Sequence, residues 1–349
     1  MAVAMVEFEN VSFWYCRNTP YEHRALCDIS FAIERGEFLG IVGANGSGKT
    51  TLVQLVNGLM SPAAGEVRVF GKSTADRAHR EGLWKRVGLL FQYPEKQLFE
   101  ATVFDDAAYG VRNMGVNPDE VRERVRHALA AVGLDPDESG GLAPLALSGG
   151  QRRRAAIAGV LAMQPELLIL DEPTAGLDGP GRTAILQLIK RLQTEEKLTV
   201  LMISHSSREV IGLADRIAVL ADGRLARLGP VRDVIREAAQ SGEMAGERAE
   251  ELAGELRKEA AGECREGATG EWRKEAAGKC QEEAEGEHPG RSVTRTGLIL
   301  PEFVQVLQRL RERGIPVEPD ALTREEALEQ LRLLAKERSH EQTEAGAVR

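Results

Sequence analysis

The sequence predicts an α/β fold built around a parallel sheet, and three observations carry the prediction. Over roughly the first 240 of 349 residues, short apolar runs alternate with segments of helical periodicity. Phe38–Val42, an apolar run of strand length, opens into a glycine-rich loop and then into a helical stretch, Thr51–Leu59. Two further apolar runs, Glu166–Leu170 and Thr199–Ser204, end in residues able to do chemistry: Asp171 and Glu172 after the first, His205 after the second. A chain of this length buries a large core without disulfide or metal staples, and suggests about two or three domains.

Composition narrows the function. The 45 Lys and Arg against 54 Asp and Glu leave a net charge of −9, which argues against binding nucleic acid or anionic membrane through a broad basic patch. The longest apolar runs, Leu167–Leu170 and Thr199–Ile203, fall far short of the roughly 18 residues of a spanning helix. Met1 to Glu7 lacks the basic and long apolar regions of a secretory signal. Cys16, Cys27, Cys264 and Cys280 show no metal-ligand spacing and no disulfide framework, as expected in a reducing cytosol.

Gly43, Ala44, Asn45, Gly46, Ser47, Gly48, Lys49 and Thr50 match G-x-x-x-x-G-K-[ST], with strand before and helix after. Glycines let the backbone curl so that successive N–H groups point at phosphate oxygens, and the helix N-terminus adds partial positive charge. Lys49 supplies a full charge to the β- and γ-phosphates, and the Thr50 hydroxyl is placed to ligate Mg²⁺. The loop alone leaves GTPase, kinase and transport ATPase open.

The later strand ends and a second cradle decide between them. A carboxylate at the end of Glu166–Leu170 can hold the Mg²⁺ shell, and Asp171 fits that role. Glu172, one residue on, can act as general base toward the attacking water. The third strand delivers His205, whose ring is placed to hydrogen-bond the γ-phosphate. Ser148, Gly149, Gly150 and Gln151 open an Ala/Ile-rich helix and form a second anion cradle. One nucleotide has one triphosphate, so the second cradle makes sense if it closes on a nucleotide held by another subunit.

At this point the sequence resembles the ATP-binding cassette (ABC) family. Leu147–Gln151 is similar to its signature and Leu167–Glu172 to its Walker B strand. Gln92 is similar to the Q-loop glutamine that senses Mg²⁺ and faces the membrane partner. Ala175-Gly-Leu-Asp178 resembles the D-loop, His205 the switch histidine, and Tyr15 the aromatic that stacks on adenine. Together with the loop and Thr51 these span about residues 5–235 in the family order. The resemblance implies a P-loop core with an antiparallel β subdomain and a helical signature subdomain. It also implies ATP and Mg²⁺ as ligands, and head-to-tail dimers with each ATP between one subunit's loop and the other's signature. Gly179 departs from the family, where proline commonly follows the D-loop aspartate.

A narrower resemblance is to the ATPases of energy-coupling factor transporters. It rests on Phe91-Gln-Tyr-Pro-Glu-Lys-Gln-Leu-Phe-Glu100, Arg154–Ala162, Leu300-Pro-Glu-Phe303 and Leu322-Thr-Arg-Glu-Glu326; Thr19–Leu26 suggests the second of the two ATPase types. It implies ATP-driven uptake of a small micronutrient, with a transmembrane coupling subunit, a substrate-binding membrane subunit and a similar or identical second ATPase. The implied location is the cytoplasmic face of the cell membrane. The alternatives weighed are an ATPase of another ABC transporter class and a soluble cassette acting on ribosomes or chromosomes. One loop and one signature disfavour the ribosomal kind, and about a hundred heptad-free residues between Lys49 and Ser148 disfavour the chromosomal kind.

Residues 1–240 therefore read as the ATP-binding domain. In 241–292 composition shifts, and from Gly246 to Glu285 an eight-residue unit repeats, beginning GERAEELA, GELRKEAA, GECREGAT. Twelve Glu there face seven Lys plus Arg, so this block carries five of the nine net negative charges. Eight residues advance about 80° past two helical turns, so Leu256, Cys264, Trp272 and Cys280 form no stripe. A glycine per repeat costs about 1 kcal/mol relative to alanine, so the block reads as a solvated linker or marginal helix. Residues 293–349 read as a small helical extension: Phe303, Val306, Leu307 and Leu310 at helical spacing, a break at Gly314 and Pro316, then a capping box at Thr323–Glu326 before Leu328, Leu331 and Leu334.

Overall fold

The computed structural model describes residues 4–240, 302–312, 316–323 and 325–333. The described residues divide into two compact units, one reaching Val231 and the other beginning at Arg232. The octad repeats, Leu298 and Leu334 lie outside the described residues.

The first unit opens with a long antiparallel pair, β1 (Ala4–Tyr15) and β2 (His23–Glu34). Phe8 and Phe31 face each other across this pair with stacked rings 4.7 Å apart, the cross-strand contact that fixes register on a buried face. Next come β3 (Phe38–Gly43), α1 (Lys49–Val56), β4 (Ala64–Val69) and β5 (Lys72–Ser73). The strands β2-β1-β4-β5 form one sheet. Helix α1 starts two residues before the predicted stretch and stops three before its end, because Gly58 takes the left-handed conformation at φ +78°, where a Cβ would meet Arg80.

After α2 (Arg77–Gly82) and β6 (Val87–Leu90), three helices build a separate layer. These are α3 (Val103–Asn113), α4 (Pro118–Ala131) and α6 (Gly149–Ala162), with the short α5 (Pro136–Ser139) between the last two. Their sequence explains their limits: Thr102 and Asn117 cap α3 and α4, and Pro118 occupies the first turn, where no N–H is missed. Their buried faces are mostly Ala and Val, and at Gly159 an added Cβ would lie 3.6 Å from Ala107 Cα, so α3 and α6 approach closely.

The chain then alternates through β7 (Leu167–Asp171), α7 (Gly179–Glu196), β8 (Thr199–Ile203), α8 (Ser207–Ile211), β9 (Arg216–Ala221) and β10 (Arg224–Pro230). The second sheet has the order β10-β9-β3-β8-β7-β6, parallel except for the β9–β10 hairpin. Every residue of β3 and β8 is buried, which is why both read as continuous apolar runs and not as alternation. Leu39, Ile41, Leu201 and Ile203 of this sheet share one apolar core with Phe8, Ile29 and Ile33 of the antiparallel sheet and with Leu52 and Leu55 of α1. The α/β architecture with an antiparallel sheet and a helical layer is as predicted.

The second unit contains the rest of α9 (Val231–Gln240), α10 (Glu302–Glu312) and α11 (residues 325–333). Helix α9, counted on sequence with residues 1–240, makes its ion pairs here: Arg236 to Asp320 at 2.6 Å and Arg232 to Glu326 at 3.4 Å. Thr323 Oγ1 accepts the Glu326 N–H at 3.1 Å, the forward half of the predicted capping box. The return bond differs, because the Glu326 carboxylate accepts from the Leu322 N–H, one residue earlier. On α10, Phe303, Leu307 and Leu310 are buried as the spacing predicts; on α11 the buried residue is Ala327, with Leu328 and Leu331 half-buried.

Candidate active site

The loop after β3 is shaped by what surrounds it. Gly48 caps α1 at φ +100°, and a Cβ there would lie 2.5 Å from Ala25 O of β2. At Gly43 a Cβ would lie 2.2 Å from Leu220 O of β9. No other residue satisfies both positions, so the two glycines follow from close backbone approach. No side chain caps α1, so the first-turn N–H groups are available to an anion. Ser47 Oγ is buried without a hydrogen-bond partner, a polar group suited to a phosphate oxygen. Lys49, 6% exposed, folds back over the loop and donates from Nζ to Gly43 O and Ala44 O, each at 2.9 Å. Burial pulls its pKa below the usual lysine value, while Glu172 and Asp171 pull it up.

The strand ends converge on that loop as the sheet order requires, since β3 and β7 flank β8. The Thr50 hydroxyl hydrogen-bonds the Asp171 carboxylate. Burial raises the pKa of Asp171, and Lys49, His205 and Thr50 oppose the rise. Among the described residues no group of three or more His, Cys, Asp or Glu could hold a metal by itself. A hydroxyl and one carboxylate are the donor set expected for Mg²⁺, which keeps several waters and takes the remaining oxygens from phosphates.

Glu172 sits at φ +53°, a left-handed conformation that costs a non-glycine residue about 1–2 kcal/mol. Its N–H donates to Ile203 O at 3.0 Å, and its carboxylate accepts the His205 backbone N–H. Burial, partly offset by that hydrogen bond, raises its pKa to about 7. His205 Nε2 lies 3.3 Å from Oε1 but makes no hydrogen bond with it, and Oε1 is buried and unpartnered. Burial, reinforced by Lys49 and opposed by Asp171, lowers the His205 pKa, which favours the neutral imidazole. A buried, unpartnered carboxylate oxygen with a pKa near neutrality is an acceptor suited to a water proton.

The remaining predicted residues are placed as follows. Tyr15 ends β1, its hydroxyl 3.0 Å from Thr51 Oγ1, which anchors the ring beside the first turn of α1. Ser148 and Gln151 close a capping box on α6: Ser148 Oγ accepts the Gln151 N–H at 3.2 Å, and Gln151 Oε1 accepts the Ser148 N–H at 2.9 Å. That leaves the Gly149 and Gly150 N–H groups as the donors of this cradle. Asp178 caps α7 by accepting the Gly181 N–H at 3.0 Å. Gln92 is exposed, two residues past Leu90, whose β7 partner is Leu170; it is near in topology but not drawn into the cluster.

One buried carboxylate was missed. Glu209 accepts from Thr174 Oγ1 at 2.7 Å and Ser204 Oγ at 3.1 Å, and pairs with Arg182 Nε at 3.4 Å. It ties the segment after Glu172 to the strand end that carries His205. The available signal was a glutamate beside Val210 and Ile211 on the buried side of α8.

The ABC transporter family model matches residues 26–175. A solved dimeric ATP-binding cassette in a post-hydrolysis state, bound to ADP and Pi, aligns with a TM-score of 0.58 at 29% identity over 65% of this chain and 99% of its own. Fold and site thus define the class: an ATP-hydrolysing cassette of the ABC transporter kind. The cbiO1 protein of Clostridium perfringens, described as part of the ABC transporter complex cbiONQ, aligns with a TM-score of 0.61 at 35% identity over 68% of this chain and 95% of its own. The energy-coupling factor transporter ATP-binding protein EcfA2 of Caldanaerobacter subterraneus subsp. tengcongensis is 39% identical over 327 residues, 93% of this chain and 96% of the relative. The chain belongs to the family of energy-coupling factor transporter ATP-binding proteins.

Proposed function

We propose that ATP hydrolysis at this site drives uptake of a small micronutrient, a vitamin or a transition-metal ion, through membrane partner subunits. The observation that carries the reading is likeness over nearly the whole chain, C-terminal unit included, to a transporter ATPase. No helix among the described residues is long and apolar enough to cross a membrane. The reading therefore assigns the pathway to a transmembrane coupling subunit and a substrate-binding membrane subunit. The cassette sits peripherally on the cytoplasmic face, head-to-tail with a similar or identical ATPase.

The reading gives each residue a role that the geometry and the family resemblance support. The loop N–H groups and Lys49 hold the β- and γ-phosphates, and Tyr15 packs against adenine. Thr50 and Asp171 would hold Mg²⁺, and the family resemblance adds Gln92, which is exposed just past β6. When bound, Mg²⁺ would offset the negative charge that develops on the phosphate oxygens. Glu172 takes a proton from the water attacking the γ-phosphorus as the bond to the ADP oxygen breaks. His205 hydrogen-bonds the γ-phosphate from the neighbouring strand end. The N-terminus of α6 in the second ATPase, with its Ser148-type cap, and the D-loop turn at Asp178 close the site from across the dimer.

Affinity purification from membranes, with the bound subunits identified by mass spectrometry, tests the reading. A coupling subunit and a small substrate-binding subunit are the expected companions. Recovery with the permease of another transporter class, or with ribosomes, overturns it.

A further inference from the structure

Arg153, 1% exposed, heads the fully buried side chains by volume, and none of the steps above uses it. It lies in the second turn of α6, past the capping box. Its guanidinium grips both oxygens of Glu95: Nε to Oε2 at 3.0 Å, and Nη2 to Oε1 at 3.1 Å and Oε2 at 3.0 Å. From the other arm, Nη1 donates to Pro173 O at 3.0 Å and Ala175 O at 2.9 Å. Glu95 belongs to the single 3-10 turn Pro94–Gln97 just past Gln92, and Pro173 directly follows Glu172. Three separate segments thus meet on one planar cation.

Burying a guanidinium is costly unless its donors are met, and an apolar side chain could fill the same space. What an apolar side chain could not do is bond a carboxylate on one side and two main-chain carbonyls on the other. The fork geometry of arginine does this; a lysine ammonium, a point donor, cannot span the three acceptors. The outer side of the Glu95 turn is open and aromatic, with Phe91 38%, Tyr93 36% and Phe99 66% exposed. A displacement applied at that surface reaches the backbone beside the proposed general base through these hydrogen-bonded links.

We propose that Arg153 is a positioning residue that clamps the Glu95 turn to the Pro173–Ala175 backbone, so that movement of the turn is passed to Glu172. The coupling role rests on the reading that a membrane partner bears on this turn; the clamp itself rests on geometry alone. Glu95→Gln weakens the grip on the turn and leaves both carbonyl bonds. Arg153→Lys keeps the charge and loses the span. Hydrogen–deuterium exchange on the full chain is the first measurement. Amides of residues 174–177 are expected to exchange at least about fivefold faster in Glu95→Gln, with β3 and β8 unchanged. In the membrane complex, transport per ATP hydrolysed is expected to fall by a similar factor, while hydrolysis by the chain alone stays within about twofold. Arg153→Lys is expected to lower hydrolysis in both settings at unchanged ATP affinity.

Exchange at 174–177 that does not respond to Glu95→Gln overturns the clamp. So does a loss of hydrolysis in Arg153→Lys that only tracks the fraction of unfolded protein in a thermal melt. Should Glu95→Gln fold poorly, Glu95→Asp keeps the charge and shortens the reach, with the same exchange response expected. Unchanged transport per ATP alongside faster exchange overturns the coupling role. A wild-type complex that shows no partner-dependent hydrolysis would instead refute the transporter reading, and the exchange result on the chain alone would still decide the clamp.

Discussion

Glu172, the proposed general base, is held against its preferences. It occupies a left-handed backbone conformation, its carboxyl is buried enough to be raised to about 7, and one oxygen has no partner. Unfavourable features of this kind persist where the surroundings fix them, and they mark sites where strain serves a mechanism. Glu172→Gln keeps the shape and removes the base, so turnover should fall by about 10² to 10⁴ with ATP binding retained. Steady-state hydrolysis and equilibrium nucleotide binding, measured with partners present, check this; near-normal turnover would remove Glu172 from the role. The carboxylate was legible in the sequence because a strand run places it. Glu209 and Arg153 were not, because each looks like an ordinary surface charge until contacts 35 and 58 residues away in sequence show it buried.

At the scale of elements, two helix N-termini share one task but sit in different places. Helix α1 begins without a side-chain cap and carries Lys49 in its first turn. Helix α6 begins with a complete capping box that uses Ser148 and Gln151 internally. On the proposed reading, the first holds a phosphate within the chain and the second presents its two glycine N–H groups to a neighbour's nucleotide. Lys49→Ala is therefore expected to weaken ATP binding to the isolated chain. Ser148→Arg is expected to spare that binding and abolish hydrolysis, because the arginine obstructs a nucleotide held by the neighbour. Fluorescent-nucleotide titration of both purified variants separates the cases, and equal loss of affinity would refute a composite site. Both helices were legible from glycine spacing and the strand–loop–helix context. The grouping of α9 with the C-terminal residues was not: its apolar positions fix a buried face, but the choice of neighbour lies in Arg232 and Arg236 finding Asp320 and Glu326, more than eighty residues on.

At the scale of the molecule, the question is what the octad-repeat stretch between the two sets of described elements contributes. Its sequence supplies a glycine in every repeat, no common apolar face and five net negative charges, and each of these opposes a packed role. A solvated 40-residue chain has a root-mean-square span of about 5–6 Å × √40, roughly 35 Å, so it would tether the C-terminal helices without fixing them. Replacing residues 246–285 with a short Gly/Ser linker is therefore expected to leave hydrolysis, dimerisation and partner binding near wild type. The replacement removes five net negative charges, so elution from an anion exchanger should move to lower salt. Transport by the purified complex is the decisive comparison, made with two replacement lengths so that reach alone cannot limit assembly. A large loss of transport or of assembly at the longer length would mean that the repeats form a contact surface, and the linker reading would be wrong.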